Sequence, residues 1–223
     1  MNPALPLVVA LAALLIGWYV AGNEIMRRRA RQLAIWSKRA ADPFGGKQAI
    51  QWTTTQSFRL ELESLRAPFV AGSLTGLVES LDVPTIWLFN RWRGRRDMVL
   101  LQLSLRRQPI WGFELYRPRS VLAGDARKFA VEEGWGQTTV DGFGLASAPG
   151  GSLEKLAHEL VTELGEESAN LVRLGIRRRG LHLTLAMNVP DRNRLTSQRF
   201  SQIVERLARA VLRYATPAPA SEG

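Results

Sequence analysis

An α+β domain behind one N-terminal transmembrane helix is the architecture this sequence predicts, and three observations predict it. Residues 1–23 carry no charged side chain, and Pro3 to Val20 is an almost unbroken apolar run. From Gln56 to Tyr116 apolar and polar residues repeatedly alternate with period two, the mark of half-buried strands. Stretches opening at Ser152 and Ser197 carry apolar residues at helical spacing and frame two further alternating segments. Strands gathered first and helices later indicate α+β rather than a regular βαβ succession.

The first run is long enough to span a bilayer. A helix rising about 1.5 Å per residue needs roughly 20 apolar residues to cross a hydrocarbon core of about 30 Å. Trp18 and Tyr19 stand at its end, where amphipathic rings favour the headgroup level. A cleaved signal peptide would carry a basic leader, which this run lacks. Cleavage after Val20-Ala21-Gly22 would also leave Arg27, Arg28 and Arg29 to be translocated. A lipid-modified terminus needs cysteine, and the chain has none. A soluble core helix is apolar on one stripe, whereas this run is apolar all round. An uncleaved signal-anchor is therefore expected.

Orientation follows from the residues after the span. Arg27, Arg28, Arg29, Arg31, Lys38 and Arg39 face only Glu24 and Asp42, a net of +4 over residues 24–44. Basic residues flanking a span stay on the cytoplasmic side, which puts the N-terminus outside the cell membrane and the domain in the cytoplasm. Ile25, Met26, Leu33, Ile35 and Trp36 interleave with these charges, so residues 24–46 read as a basic juxtamembrane helix along the interface, then a linker. Asp42-Pro43-Phe44-Gly45-Gly46 breaks the helix and marks the expected boundary of a domain covering residues 47–215. Thr216 to Gly223 reads as a disordered tail.

Within the domain, Phe58, Leu60 and Leu62 mark a first strand and Pro68–Glu79 a second, with a bulge suggested by Gly72 and Gly76. Asp82 and Pro84 open a short helix through Trp87, Phe89 and Trp92. Met98–Arg106 and Ile110–Tyr116 read as a hairpin across Arg106-Arg107-Gln108-Pro109, completing a meander of about four strands. A turn of helix is expected near Val121–Lys128 and one strand over Gln137–Ala148. Leu153, Leu156, Ala157, Leu160, Val161 and Leu164 form a helical stripe ended by Gly165. Asn170–Arg178 and Leu181–Asn188 form a hairpin around Arg179-Gly180. The last helix starts at Ser197 and turns Phe200, Ile203, Val204, Leu207, Val211 and Leu212 inward.

Charge and cysteine content narrow the function classes. The net +10 is uneven: residues 90–119 hold eight arginines against Asp97 and Glu114, a net of +6, and residues outside this stretch and 24–44 balance. Only Lys38, Lys47, Lys128 and Lys155 are lysine; a GC-rich bacterial genome gives the same arginine bias, so the bias alone assigns no role. The absence of cysteine excludes disulfides, thiolate catalysis and cysteine-ligated zinc, and suits a reducing compartment. His158 and His182 have no metal-ligand spacing. Glu132-Glu133 and Glu166-Glu167 are sequence neighbours whose side chains diverge. Gly134-Trp-Gly136 and Gly142-Phe-Gly144 lack the rest of a dinucleotide fingerprint, and no phosphate loop or nucleophile elbow is present. No cofactor, metal, small-molecule substrate or enzymatic activity is expected, although a triad assembled in space leaves no sequence signature.

The expected role is binding, either of a protein partner or of anionic lipid headgroups, by a membrane-tethered domain. Its candidate residues are Arg27, Arg28, Arg29 and Arg31 after the span, and Trp87, Arg91, Trp92, Arg93, Arg95 and Arg96 in the helix and its exit. Aromatics among arginines suit a headgroup layer. Aromatics at helical spacing also suit a connecting helix capping the sheet. Arginines beside aromatics equally suit single-stranded nucleic acid, the competing class, against which stand the tether and the lack of a nucleic-acid motif.

Overall fold

The structure, a computed structural model, describes residues 4–81, 83–92, 96–149, 153–189 and 191–214. The class is α+β: one long N-terminal helix, then a nine-stranded, wholly antiparallel sheet with helices. Helix α1 (Ala4–Ala41) runs unbroken for 38 residues and has two unlike halves. From Pro6 to Val20 its apolar side chains other than the half-buried Trp18 stand exposed (Leu7, Leu11, Leu14, Leu15 and Ile16 among them). From Met26 onward, Met26, Ala30, Leu33, Ala34, Trp36, Ala40 and Ala41 are buried. That second half was expected along the membrane interface, before a domain starting at residue 47. In the structure most of it belongs to the main core, together with Phe44, because the buried positions recur every three or four residues and form a stripe that sits on the sheet. Ile25 and Ile35 fall off the stripe and stay exposed.

The strands are β1 (Lys47–Trp52), β2 (Ser57–Glu63), β3 (Phe69–Leu77), β4 (Met98–Leu105), β5 (Phe113–Tyr116), β6 (Gly136–Val140), β7 (Phe143–Ser147), β8 (Leu171–Ile176) and β9 (Leu183–Asn188). They lie in the order β1-β2-β3-β4-β9-β8-β5-β7-β6. β2, β3 and β4 form three members of the expected meander, and β1 precedes them as an unforeseen first strand. The expected β4–β5 hairpin does not form: β9 and β8 lie between those strands. Alternation reports which face a strand buries, not which strand lies beside it. The single strand expected over 137–148 is a hairpin instead. Asp141 and Gly142 turn it with φ of 50° and 79°, the positive values that a tight two-residue turn demands.

The other helices are α2 (Pro84–Trp92), α3 (Ala123–Glu132), α4 (Leu153–Leu164) and α5 (Ser197–Tyr214). The second half of α1, α4 and α5 cover one face of the sheet. Leu60, Leu74, Leu101, Leu115, Leu174 and Leu185 meet them there in the main core. α3 covers part of the other face over β5 and β7, through Ala123, Ala126 and Ala130 against Tyr116 and Ala146. Under α3 lies a fully buried carboxylate, Glu114, paired with Arg173 at 2.8 Å and Arg177 at 2.8 Å. The Arg177 guanidinium stacks 3.9 Å from the centre of the Phe129 ring. Gly175 makes room for this pair, since a Cβ there would stand 2.6 Å from a Glu114 oxygen. The tail from residue 216, the Asp82 cap and the Ser152 helix start lie outside the described residues.

Candidate functional site at the helix junction

The registers define one end of the sheet. Trp52 pairs with Phe58, Ser57 with Leu77, Leu77 with Met98 and Met98 with Asn188. This end adjoins the point where the exposed half of α1 leaves the domain. There the Leu81 amide reaches the Met26 sulfur at 3.0 Å, and the Trp18 indole N–H donates to the Leu81 carbonyl at 2.8 Å. Residues 78–81 are thereby fastened to α1, and α2 follows directly.

α2 buries none of its residues. Ile86, Leu88, Phe89 and Trp92 are all exposed, Leu88 at 64% and Trp92 at 83%. At 100° per residue these four share one side of the helix, an arc of about 160°. Trp87 projects from the opposite side of the helix and packs against Trp18, with ring centres 6.1 Å apart. The alternative expectation, in which these aromatics cap the open end of the sheet, does not describe this helix. Its apolar side faces solvent, turned away from the Trp87–Trp18 contact with α1.

The candidate arginines divide by environment. Arg27 and Arg31 are exposed on α1, and Arg91 is exposed on α2. Arg28 donates to Glu24 at 2.7 Å; that bond, with Arg27 and Arg31 nearby, holds the Glu24 carboxyl below its ordinary range. Arg29 is mostly enclosed and pairs with Asp97 at 2.7 Å. Arg96 donates to the Arg91 carbonyl, tying the exit of α2 back to its last turn. Arg93 and Arg95 lie outside the described residues. Arg106 and Arg107 follow the far end of β4, about 25 Å from Met98 at strand rise. The surplus of residues 90–119 therefore does not gather at one surface.

Arg192 and Arg194 are at the junction without having been singled out in the sequence. Arg192 donates to the Arg29 carbonyl at 3.2 Å and to Gln32 at 3.1 Å, and Arg194 is exposed beside Asp191. No local pattern marks them, because strand β9 brings them to α1 across more than 150 residues of chain.

Glu79 and Asp97 form an acidic pair behind α2. Asp97 accepts from both Arg29 and the Glu79 backbone N–H, while neither Glu79 carboxyl oxygen has a hydrogen-bond partner among the described residues. Burial raises the Glu79 pKa; Arg29, Arg91 and Arg96 oppose the rise and Asp97 adds to it. A carboxyl with a raised folded pKa favours the folded state fully only below its unfolded pKa, and this contribution is lost as pH rises through the folded value. Glu79→Gln should therefore flatten the decline in melting temperature as pH rises above the ordinary glutamate range. Parallel melting curves for the two proteins would show that Glu79 does not titrate this way.

Elsewhere the titratable residues serve local structure. His158 pairs with Asp141 at 2.7 Å on the surface, joining α4 to the β6–β7 turn. The His182 Nδ1 accepts the Leu105 amide at 2.9 Å and closes the end of β4. Arg199 spans Glu166 and Glu167 at 3.6 and 3.4 Å. A shallow depression of about 600 Å³ on the outside of α5 is lined only by that helix and Thr196, so it brings no groups from separate elements together. Among the described residues no three histidines or acids are grouped to hold a metal ion. Compared with known proteins, the chain matches no family model and no curated protein. Among the described residues one helix is long and apolar enough to cross a membrane, a test that a signal sequence or a buried helix also passes.

Proposed function

We propose that this chain is a single-pass membrane protein whose cytoplasmic domain is held against an anionic lipid surface by α2 and the arginines around it, in a binding rather than catalytic role. The observation that carries the reading is the pairing of α2 with α1. A nine-residue helix that buries nothing of itself turns four large apolar side chains outward, and it stacks Trp87 on Trp18 beside the apolar run of α1. Each such side chain gains about 1.5–3 kcal/mol when fully removed from water. The headgroup and upper acyl region supplies that removal if α1 spans the bilayer.

The surrounding charge fits the same reading. Arg27, Arg31 and Arg91 are exposed at this end of the domain, and each cation near an anionic surface contributes about 1 kcal/mol. The basic cluster after the span supports an orientation with the N-terminus outside. Arginines beside an exposed tryptophan are also compatible with single-stranded nucleic acid, but α2 is joined to the α1 run through Trp87 and Trp18, which favours lipid.

The test uses residues 24–215, which keep every buried position of α1 from Met26 onward, with vesicles of anionic or neutral lipid. Binding is expected to require anionic lipid, to weaken as salt screens the charges, and to fall at least about tenfold when Arg91, Arg93, Arg95 and Arg96 become Gln. Equal binding to neutral vesicles, or none, would refute the docking surface. Salt-sensitive binding to oligonucleotides without lipid binding would favour the competing class.

A further inference from the structure

We propose that the groove between α1 and the edge strand β1 receives an extended acidic segment of a protein partner, added to the sheet as a tenth strand. β1 ends the strand order and pairs through one side only, with β2, in six continuous positions without a bulge. Such an edge offers a row of backbone donors and acceptors to an incoming strand. Natural edges are commonly protected by charge, proline or irregularity, and β1 has only Lys47, at its first position.

The side chains beside this edge form a receiving surface. Ile50 and Trp52 lie on the helix-covered face, yet they are 45% and 48% exposed, while their partners Leu60 and Phe58 are buried. α1 packs over β2 and β3, leaving a groove of about 290 Å³ between itself and β1. Its walls include Arg31, Ile35, Lys38, Ile50, Trp52 and Leu60, and no acidic residue lines it. An added strand would turn alternate side chains toward this apolar floor, within reach of two cations.

Charge selects the occupant. The rim carries Arg31 and Lys38, with Lys47 at the start of the strand, so acidic side chains on the incoming segment would be attracted. A second copy pairing edge to edge would bring the same cations together, which disfavours self-association. The groove shares Arg31 with the lipid-facing charge but not the apolar side of α2, and neutral lipid in the test separates the two roles.

The experiment presents a random twelve-residue peptide library to the full-length protein in neutral-lipid nanodiscs. Recovered peptides are expected to alternate apolar and polar residues, to be rich in Asp and Glu, and to slow hydrogen exchange of the Lys47–Trp52 amides. Ile50→Asp should weaken their binding at least tenfold. The exposed pair Arg31→Glu and Lys38→Glu should reverse selection toward basic peptides while leaving the melting temperature unchanged. Failure to recover peptides, absence of acidic bias, helical periodicity, or unaltered selection by the charge-reversed protein would overturn the proposal. So would self-association abolished by the same changes, which would assign the groove to a second copy.

Discussion

A fragment beginning at residue 47 is expected not to fold, whereas one beginning at residue 24 is expected to be soluble and cooperative. The first cut removes Met26, Leu33, Trp36 and Phe44, all buried in the structure. At about 1.5–3 kcal/mol for each large side chain, the loss approaches the 5–15 kcal/mol that stabilises an ordinary domain. It also removes the Trp36 indole hydrogen bond to the Leu195 carbonyl and the Ala40 carbonyl that accepts from Ser201. The second cut spares all of these. Circular dichroism and thermal melting of the two fragments decide the matter; a folded 47–215 fragment would mean that α1 is dispensable to the core.

The second large effect is expected at Glu114. Replacing it with Ala leaves Arg173 and Arg177 without their counter-charge, and Arg173 lies almost wholly inside the protein. Stranding a buried charge costs about 3–5 kcal/mol. For a domain of this size, melting should fall by on the order of 10 °C. Glu114→Leu with Arg173→Met, which removes charge from both sides, should lose less than Glu114→Ala, because burying an ion pair carries its own desolvation cost. A change of under about 1 kcal/mol in the Ala variant would show that water reaches the arginines readily.

Legibility in the sequence followed the reach of each signal. The helices α4 and α5 and the β8–β9 hairpin repeat an apolar pattern within a few turns, so their residues alone reveal them. β4 and β5 alternate just as clearly, but their separation by β9 and β8 depends on partners far along the chain, such as Met98 with Asn188 and Tyr116 with Arg173. The β6–β7 hairpin had its signal in Asp141-Gly142, which the longer run of residues 137–148 obscured. In α1 two burial regimes share one helix: the all-round apolar run ends near Val20, and the stripe from Met26 repeats among arginines that resemble a membrane flank.

At the junction, composition marked Trp87, Trp92 and the neighbouring arginines, while the Trp18 contact and Arg192 required the fold. Counting charge along the chain also mixed Arg91 with Arg106 and Arg107, which one strand carries to opposite ends of the sheet.

The central claim is that α2 lies in the lipid interface beside α1. The chain has no cysteine, so Leu88→Cys gives a unique site for an environment-sensitive fluorophore in the full-length protein. In anionic liposomes the label should emit to the blue, respond to quenchers carried on lipid and resist quenchers dissolved in water. The same label at Val131→Cys, exposed on α3, should behave as a water-facing group. A label at residue 88 that remains open to aqueous quenchers while α1 is inserted would contradict the account.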